Sequence, residues 1–456
     1  MLDRILPFIS KWFFPRPASV MEVEQPPPEQ PGEKLAHNRR GTDEALTEHD
    51  IMEMAERKIE EEHGSWLPGV IRWNPTSFKH LREAERNILQ FVSTPHRAFY
   101  VDIGPVVGRH SNKLWTVAFN EASPETPLVM VHGFASGVGL WCLNYDALAA
   151  DRPVYAFDSL GFGRSSRPTF SKEADEVELQ FVKAIEAWRR EMNIDRMILL
   201  GHSLGGYLSC AYALRHPERL EHLVLADPWG FSERISNQAH RPQIPLWVRA
   251  VLAAVKVMNP LSVLRLGGPW GSTLIAKARP DLMKKFSSLV NSPPGTNYMA
   301  NYIYHCNAQT PSGEVAFHTL SCDLGWARNP MIRRVRRVDA SVPMTAIYGS
   351  RSWIDDCGQK IRGERPNSYV DVETILGASH HVYADRPEAF NELVLGACGF
   401  SRRRLEAEGA PAGFFLRGDD EEGGLPMPVR EGSGVDGGGT GKPNSGQPWR
   451  RVPSEA

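Results

Sequence analysis

The stretch Gly201-His202-Ser203-Leu204-Gly205 constrains this chain more than any other. It follows a wholly apolar run, Met197–Leu200, and opens a second apolar run with helical spacing, Leu204–Leu214. A serine between a buried strand and a helix sits on a sharp turn with its hydroxyl projecting. Glycine two residues to either side lets neighbouring chain pass close to the turn. Gly206 adds a third small residue where strand and helix cross. The arrangement predicts a nucleophile held in a strained backbone conformation.

The rest of the chain supplies a frame for such a turn. From about residue 98, short β-rich runs alternate with helical ones. Leu114–Asn120, Leu128–Val131, Val154–Phe157, Met197–Leu200 and Leu223–Ala226 read as strands, and Met344–Tyr348 and Val372–Leu376 return to that pattern later. Phe78–Phe91, Glu176–Met192, Leu204–Leu214 and Pro387–Leu395 read as helices. Apolar strands alternating with helices predict an α/β class, with a mostly parallel sheet covered on both faces. Between Pro228 and Val338 the alternation stops. Leu246–Val257 and Pro260–Leu266 look helical, and Trp247, Trp270, Tyr298, Tyr302, Tyr304 and Trp326 add aromatics, which predicts a helical cap inserted above the sheet.

A serine hydroxyl needs a base and an oriented acid. Gly377-Ala378-Ser379-His380 follows a strand run, where the last sheet loop can deliver an imidazole; His380 is favoured as base over the adjacent His381. The acid is expected after the preceding strand. Asp355, in the loop after Met344–Tyr348, is the first choice, with Asp356 a near rival and Asp227, which follows Leu223–Ala226, the other position. Hydrolysis also needs donors for a developing oxyanion. The backbone amides of Phe134, in the loop after Leu128–Val131, and of Leu204 suit that role, while His132 reads as a support for its loop. The glycine-rich run Leu160–Ser166 lacks the lysine and hydroxyl of a phosphate-binding loop and reads as a turn that shapes the pocket.

With these motifs in place, the chain resembles abhydrolase domain-containing proteins four and five and their plant relatives, lipid-handling enzymes of the α/β-hydrolase fold. The stretches that carry the resemblance are Pro127–Phe134 (PLVMVHGF), Phe157–Pro168 (FDSLGFGRSSRP), Ile198–Gly206 (ILLGHSLGG), Asp227–Phe231 (DPWGF), Tyr302–Ala308 (YIYHCNA) and His380–Asp385 (HHVYAD). They extend from about 66 to 398 and include the cap. The resemblance implies phospholipid or lysophospholipid substrates, with acyl hydrolysis in one branch. A second branch is linked, through a His-x4-Asp motif matched here by His380 and Asp385, to acyl-CoA-dependent acylation of lysophosphatidic acid. A third is a lipase coactivator with Asn at the elbow, from which Ser203 departs. Asp385 has a plainer reading as a cap for the helix beginning near Pro387.

The domain organisation expected is an N-terminal extension (1–65), an α/β-hydrolase domain (66–400, cap about 229–340) and a disordered tail (401–456). Within the extension, Leu2, Ile5, Leu6, Ile9 and Phe13 fall at helical spacing beside Trp12 and Phe14, a segment suited to a membrane interface. Residues 17–46 are rich in Pro, Glu and Gln and read as a linker; Ile51–Glu62 could form a charged helix, and Trp66–Ser77 leads into the first helix of the domain. No apolar run reaches the roughly 18 to 20 residues of a spanning helix. The net charge of -2 gives no bulk attraction to nucleic acid, although Arg333–Arg337 forms a local basic cluster that reads as a solvated helix face. Six scattered cysteines form no metal or disulfide pattern and fit a reducing compartment. The expectation is a cytoplasmic hydrolase, peripherally associated with membranes or lipid droplets. It would remove acyl chains from (lyso)glycerophospholipids, including N-acyl phosphatidylethanolamines, through Ser203, His380 and Asp355. No metal or organic cofactor is implied. Acyl-CoA enters as co-substrate only in the acyltransferase reading, and a partner lipase only in the coactivator reading.

Overall fold

A computed structural model of the chain describes Met54 and residues 76–233, 261–287, 297–322 and 325–407. The apolar N-terminal segment 2–14, the linker 17–46, most of 51–75, the helix expected at 246–257 and the tail beyond 407 lie outside the described residues.

Eight strands form one sheet: β1 (His96–Gly104), β2 (Asn112–Phe119), β3 (Leu128–Val131), β4 (Val154–Phe157), β5 (Met197–His202), β6 (Leu220–Ala226), β7 (Met344–Gly349) and β8 (Val370–Ile375). Their order is β1-β2-β4-β3-β5-β6-β7-β8. β1 and β2 pair antiparallel and β2 joins β4 antiparallel, while every pairing from β4 to β8 is parallel. The apolar runs are buried on both sides, and successive residues enter opposite cores. Val129, Val131, Met197 and Leu199 join one cluster; Leu128, Met130, Ile198 and Leu200 join the other. A residue period of two across a sheet covered on both faces requires this division.

The helices that cover the sheet are α1 (Phe78–Leu89), α2 (Ala174–Glu191), α3 (Leu204–Ala213), α7 (Gly358–Glu364) and α8 (Pro387–Ala407). Ser77 caps α1 through its hydroxyl, which accepts from the His80 N–H. Between β6 and β7 the described residues form a helical cap that includes α4 (Gly271–Ala278), α5 (Tyr298–Asn307) and α6 (Gly313–Leu320). Strand runs predicted at 128–131 and 154–157 match β3 and β4 residue for residue. β1 has no counterpart among the predicted runs: it lies at the sheet edge, and most of its residues are exposed or half-buried. Helix α8 runs to Ala407, well beyond the predicted Leu395.

The loop Asp158–Ser166 binds cap to sheet. Gly161 and Gly163 take φ of 88° and 49°, which an L side chain rarely adopts. The buried Arg167 donates from Nη1 to the carbonyls of Gly161 and Thr310, and from Nη2 to those of Gly163 and Cys306, all at 2.9–3.0 Å. Its amides are also consumed: Gly161 N–H donates to the Ser166 carbonyl and Arg164 N–H to Asp158. The loop is a structural turn, with no free set of amides to cradle a phosphate.

Candidate active site

Ser203 occupies the turn between β5 and α3 with φ 53° and ψ −117°. The close neighbours predicted for the flanking glycines are present. A Cβ on Gly205 would meet the Val131 carbonyl, one on Gly201 would meet the Gly205 backbone, and one on Gly206 would lie 2.8 Å from Pro228. The Ser203 N–H donates to the Ala226 carbonyl at 3.1 Å, tying the turn to the end of β6. The site thus sits at the carboxyl ends of the parallel strands, where an open α/β sheet presents its loops.

His380 reaches Ser203 from the loop after β8. Its Nε2 lies 3.0 Å from Ser203 Oγ, and its Nδ1 lies 2.6 Å from Asp227 Oδ2. A carboxylate only accepts, so Nδ1 carries the proton and Nε2 presents its lone pair to the serine hydroxyl. Burial pushes the imidazole down to about 3, helped by the positive charges of Lys285 and Arg279. The ring is therefore held neutral, the form a general base requires. Asp227 is wholly buried, and burial raises its carboxyl against the donors that hold it. Those donors are Ser352 Oγ at 2.5 Å and the Gly349 N–H at 3.3 Å.

The acid partner of His380 is Asp227 and not Asp355. Asp227 immediately follows β6, whose last register pair with β5 is Ala226 opposite His202, so Asp227 and Ser203 leave adjacent strands at the same level. The loop after β7 instead turns outward. Asp355 and Asp356 are exposed, and Asp356 accepts from the Gly358 N–H at 2.7 Å, at the start of α7. That loop contributes Ser352 and the Gly349 amide as supports for Asp227, and lays Trp353 beside His380 with ring centroids 5.1 Å apart.

The remaining predicted residues fall around this line. Gly133, which precedes Phe134, lies against the nucleophile: a Cβ there would be 3.1 Å from Ser203 Cβ. The Phe134 ring stacks on Phe317 of the cap at 4.4 Å. Buried His132 donates from Nδ1 to the Gly133 carbonyl at 2.7 Å and accepts at Nε2 from the Ser159 N–H at 2.9 Å. His381 stands 5.4 Å from His380 and 5.6 Å from His202, ring to ring. Asp385 does not touch the His380 ring; it accepts from the Ser379 N–H and Oγ at 2.8 and 2.7 Å. It therefore ties down the loop that carries His380 rather than capping α8. Sequence reasoning missed His202, whose Nε2 donates to the His380 carbonyl at 2.9 Å. Its place inside the elbow was the only signal. The basic cluster also changes character, since Arg334 is drawn inward to Glu178 at 2.6 Å while Arg333 stays exposed. All six cysteines are unpaired.

The elbow, the strand order and this hydrogen-bonded line agree with the comparison to known families. Residues 126–387 match the alpha/beta hydrolase fold family. The chain belongs to that family. It is 48% identical over 340 residues to the Homo sapiens protein named 1-acylglycerol-3-phosphate O-acyltransferase ABHD5, covering 74% of this chain and 95% of that one. It is also 48% identical over 343 residues to the Homo sapiens (Lyso)-N-acylphosphatidylethanolamine lipase, covering 75% of this chain and 98% of that one. The Bos taurus lipase is 47% identical over the same length.

Proposed function

We propose that this chain is a serine acyl hydrolase of glycerophospholipids, with lysophospholipids and N-acylated phosphatidylethanolamines as substrates. The observation that carries the reading is the continuous line Ser203–His380–Asp227, with its proton placed for general-base catalysis. Ser203 Oγ attacks the ester carbonyl as His380 Nε2 takes its proton. Asp227 holds the imidazole and stabilises its protonated form. The backbone N–H groups of Phe134 and Leu204 receive the developing oxyanion. His380 then protonates the leaving alcohol, and water releases the fatty acid by the reverse sequence. No metal or organic cofactor takes part. The name of a lipase relative, matched over 98% of its length, supports the substrate class.

Association with a lipid surface belongs to the same reading. Leu266, Trp270 and Leu274 of the cap are 66%, 62% and 40% exposed, an apolar group suited to a membrane or droplet surface. No described helix is long and apolar enough to cross a membrane. The second reading is acyl-CoA-dependent acylation of lysophosphatidic acid, favoured by the name of the other relative and by the His380/Asp385 spacing. In it a lysolipid hydroxyl replaces water at the acyl-enzyme, and acyl-CoA is the donor.

Fluorophosphonate labelling of wild type and Ser203→Ala, with a lysophospholipid panel with and without oleoyl-CoA, tests the proposal. Labelling of wild type alone, with free fatty acid released without CoA, is expected. Product formed only with oleoyl-CoA would establish the acyltransferase. Absence of labelling and turnover would leave a lipid-binding coactivator of a partner lipase as the reading to pursue.

A further inference from the structure

The site above makes no use of one buried ion pair beside it. Lys285 ends the short cap helix Pro280–Lys285. Its Nζ lies 2.9 Å from Asp385 Oδ1 and 3.0 Å from Oδ2, and donates to Ser379 Oγ at 2.9 Å. The lysine and aspartate side chains are only 8% and 15% exposed. Ser379 immediately precedes His380, and Asp385 ends the short helix Val382–Asp385 that follows it. One ammonium from the cap therefore closes both ends of the segment that carries the histidine.

We propose that Lys285 is a positioning residue that couples docking of the cap to alignment of His380. With the cap seated, the segment 379–385 is held and the imidazole points at Ser203; when the cap lifts to admit or release lipid, the ammonium withdraws and that alignment relaxes. The inference rests on the hydrolase reading for its kinetic consequence, but not for its structural one.

Three features support the coupling. The Lys285 ammonium donates to Ser379 Oγ and Asp385 Oδ2 and lies 2.9 Å from Asp385 Oδ1, so charge and hydrogen bonds from one side replace much of its water shell. Removing it leaves a largely buried carboxylate without its counter-charge, which disturbs its surroundings far more than loss of a surface pair. A cavity of about 460 Å³, lined in part by Leu143, Lys285, Asp385 and Pro387, adjoins the pair and gives the lysine stem room to swing out. The segment's other backbone ties come from outside the Lys285 helix: the His380 carbonyl accepts from His202, the Tyr383 carbonyl from Asn144 Nδ2 at 3.0 Å, the His381 carbonyl from the Ala384 and Asp385 amides, and the Val382 carbonyl from the Arg386 amide.

The competing role for a lysine here is to bind a substrate's anionic headgroup, and the two roles predict opposite kinetics. The full chain is compared with Lys285→Met, Asp385→Asn, the double variant and Lys285→Arg. The readings are the rate of Ser203 labelling by a fluorophosphonate, kcat and KM on a lysophosphatidylcholine, and hydrogen exchange of the 379–385 amides. Each single loss is expected to slow labelling about tenfold and lower kcat with KM unchanged, and the double variant to be no slower than the worse single. Lys285→Arg keeps the charge and is expected to recover most of the rate. Faster exchange in 379–385 is expected in both singles, and this reading stands even if wild type proves not to label. Ser379→Ala removes only the bridging hydroxyl and serves where Lys285→Met does not fold. Wild-type exchange and labelling in Lys285→Met, additive losses, or a rise in KM alone would overturn the proposal.

Discussion

The chemistry turns on which carboxylate faces one imidazole nitrogen. Asp227 and Asp355 are both acidic residues that follow a buried strand, and the strand order along the chain, which favours Asp355, does not report which of them faces the imidazole. The difference is that Asp227 is wholly buried at 2.6 Å from His380 Nδ1, whereas Asp355 is exposed. Replacing Asp227 by Asn keeps the shape but no longer secures the imidazole tautomer or stabilises its charged form, so kcat is expected to fall about 10³- to 10⁴-fold. Asp355→Asn is expected to stay within about twofold, since an exposed side chain away from the site has little to lose. Steady-state kinetics of the two variants side by side decide the matter, and equal losses would return the acid role to the β7 loop. Ser203, by contrast, was legible at once, because its strand, turn and helix are contiguous.

Contiguity also explains which elements could be read. β3 to β6 are short apolar runs bounded by turn residues, and burial on both faces makes them stand out. β1 is an edge strand with an exposed face, so its pattern is diluted. Arg167 shows how a loop and the cap become one unit. Its guanidinium bonds four carbonyls, two from the loop before it and two from the cap near residues 306–310. Arg167→Met removes all four bonds, takes the guanidinium donor from the Gly163 and Cys306 carbonyls, and is expected to cost about 2 to 4 kcal/mol. Arg337→Met, at an exposed position, should change stability by less than about 0.5 kcal/mol. Urea unfolding monitored by tryptophan fluorescence would measure both, and a neutral Arg167→Met would show that the cap docks without that guanidinium.

At the scale of the molecule, burial holds several histidines neutral. Burial pushes His132 down to about 4, and His202, His222 and His380 down to about 3. His222 is fully enclosed between Ser401 Oγ and Thr345 Oγ1, far from Ser203 in function. In the unfolded chain each ring takes up a proton near pH 6.5, while the folded state does not. Below that pH the unfolded state binds more protons, so this contribution is full above about 6.5 and is lost as pH falls toward about 4 for His132 and about 3 for the others. Each such histidine contributes a slope of roughly 1.4 kcal/mol per pH unit in that window. Buried Glu85, Asp158 and Asp227, raised to about 6 to 7, oppose this slope in the same window, so the test is a difference: as pH falls from 7.5 to 5.5 the urea midpoint of wild type is expected to fall relative to that of His222→Gln. An unchanged difference between the two proteins across that range would mean that His222 takes up its proton equally in the folded and unfolded chain.

The chain's own order of residues determined the α/β class, the elbow serine, the position of the histidine loop and the place of the cap. Each is written in a contiguous run whose periodicity and glycines report burial and turns directly. Only the tertiary structure decided that Asp227 completes the line, that Arg334 turns inward and that Lys285 reaches the histidine loop. Those facts depend on which strand lies beside which and on how the cap returns over the sheet. Partners 153 residues apart for His380 and Asp227, or 100 for Lys285 and Asp385, leave no local periodic trace in one sequence.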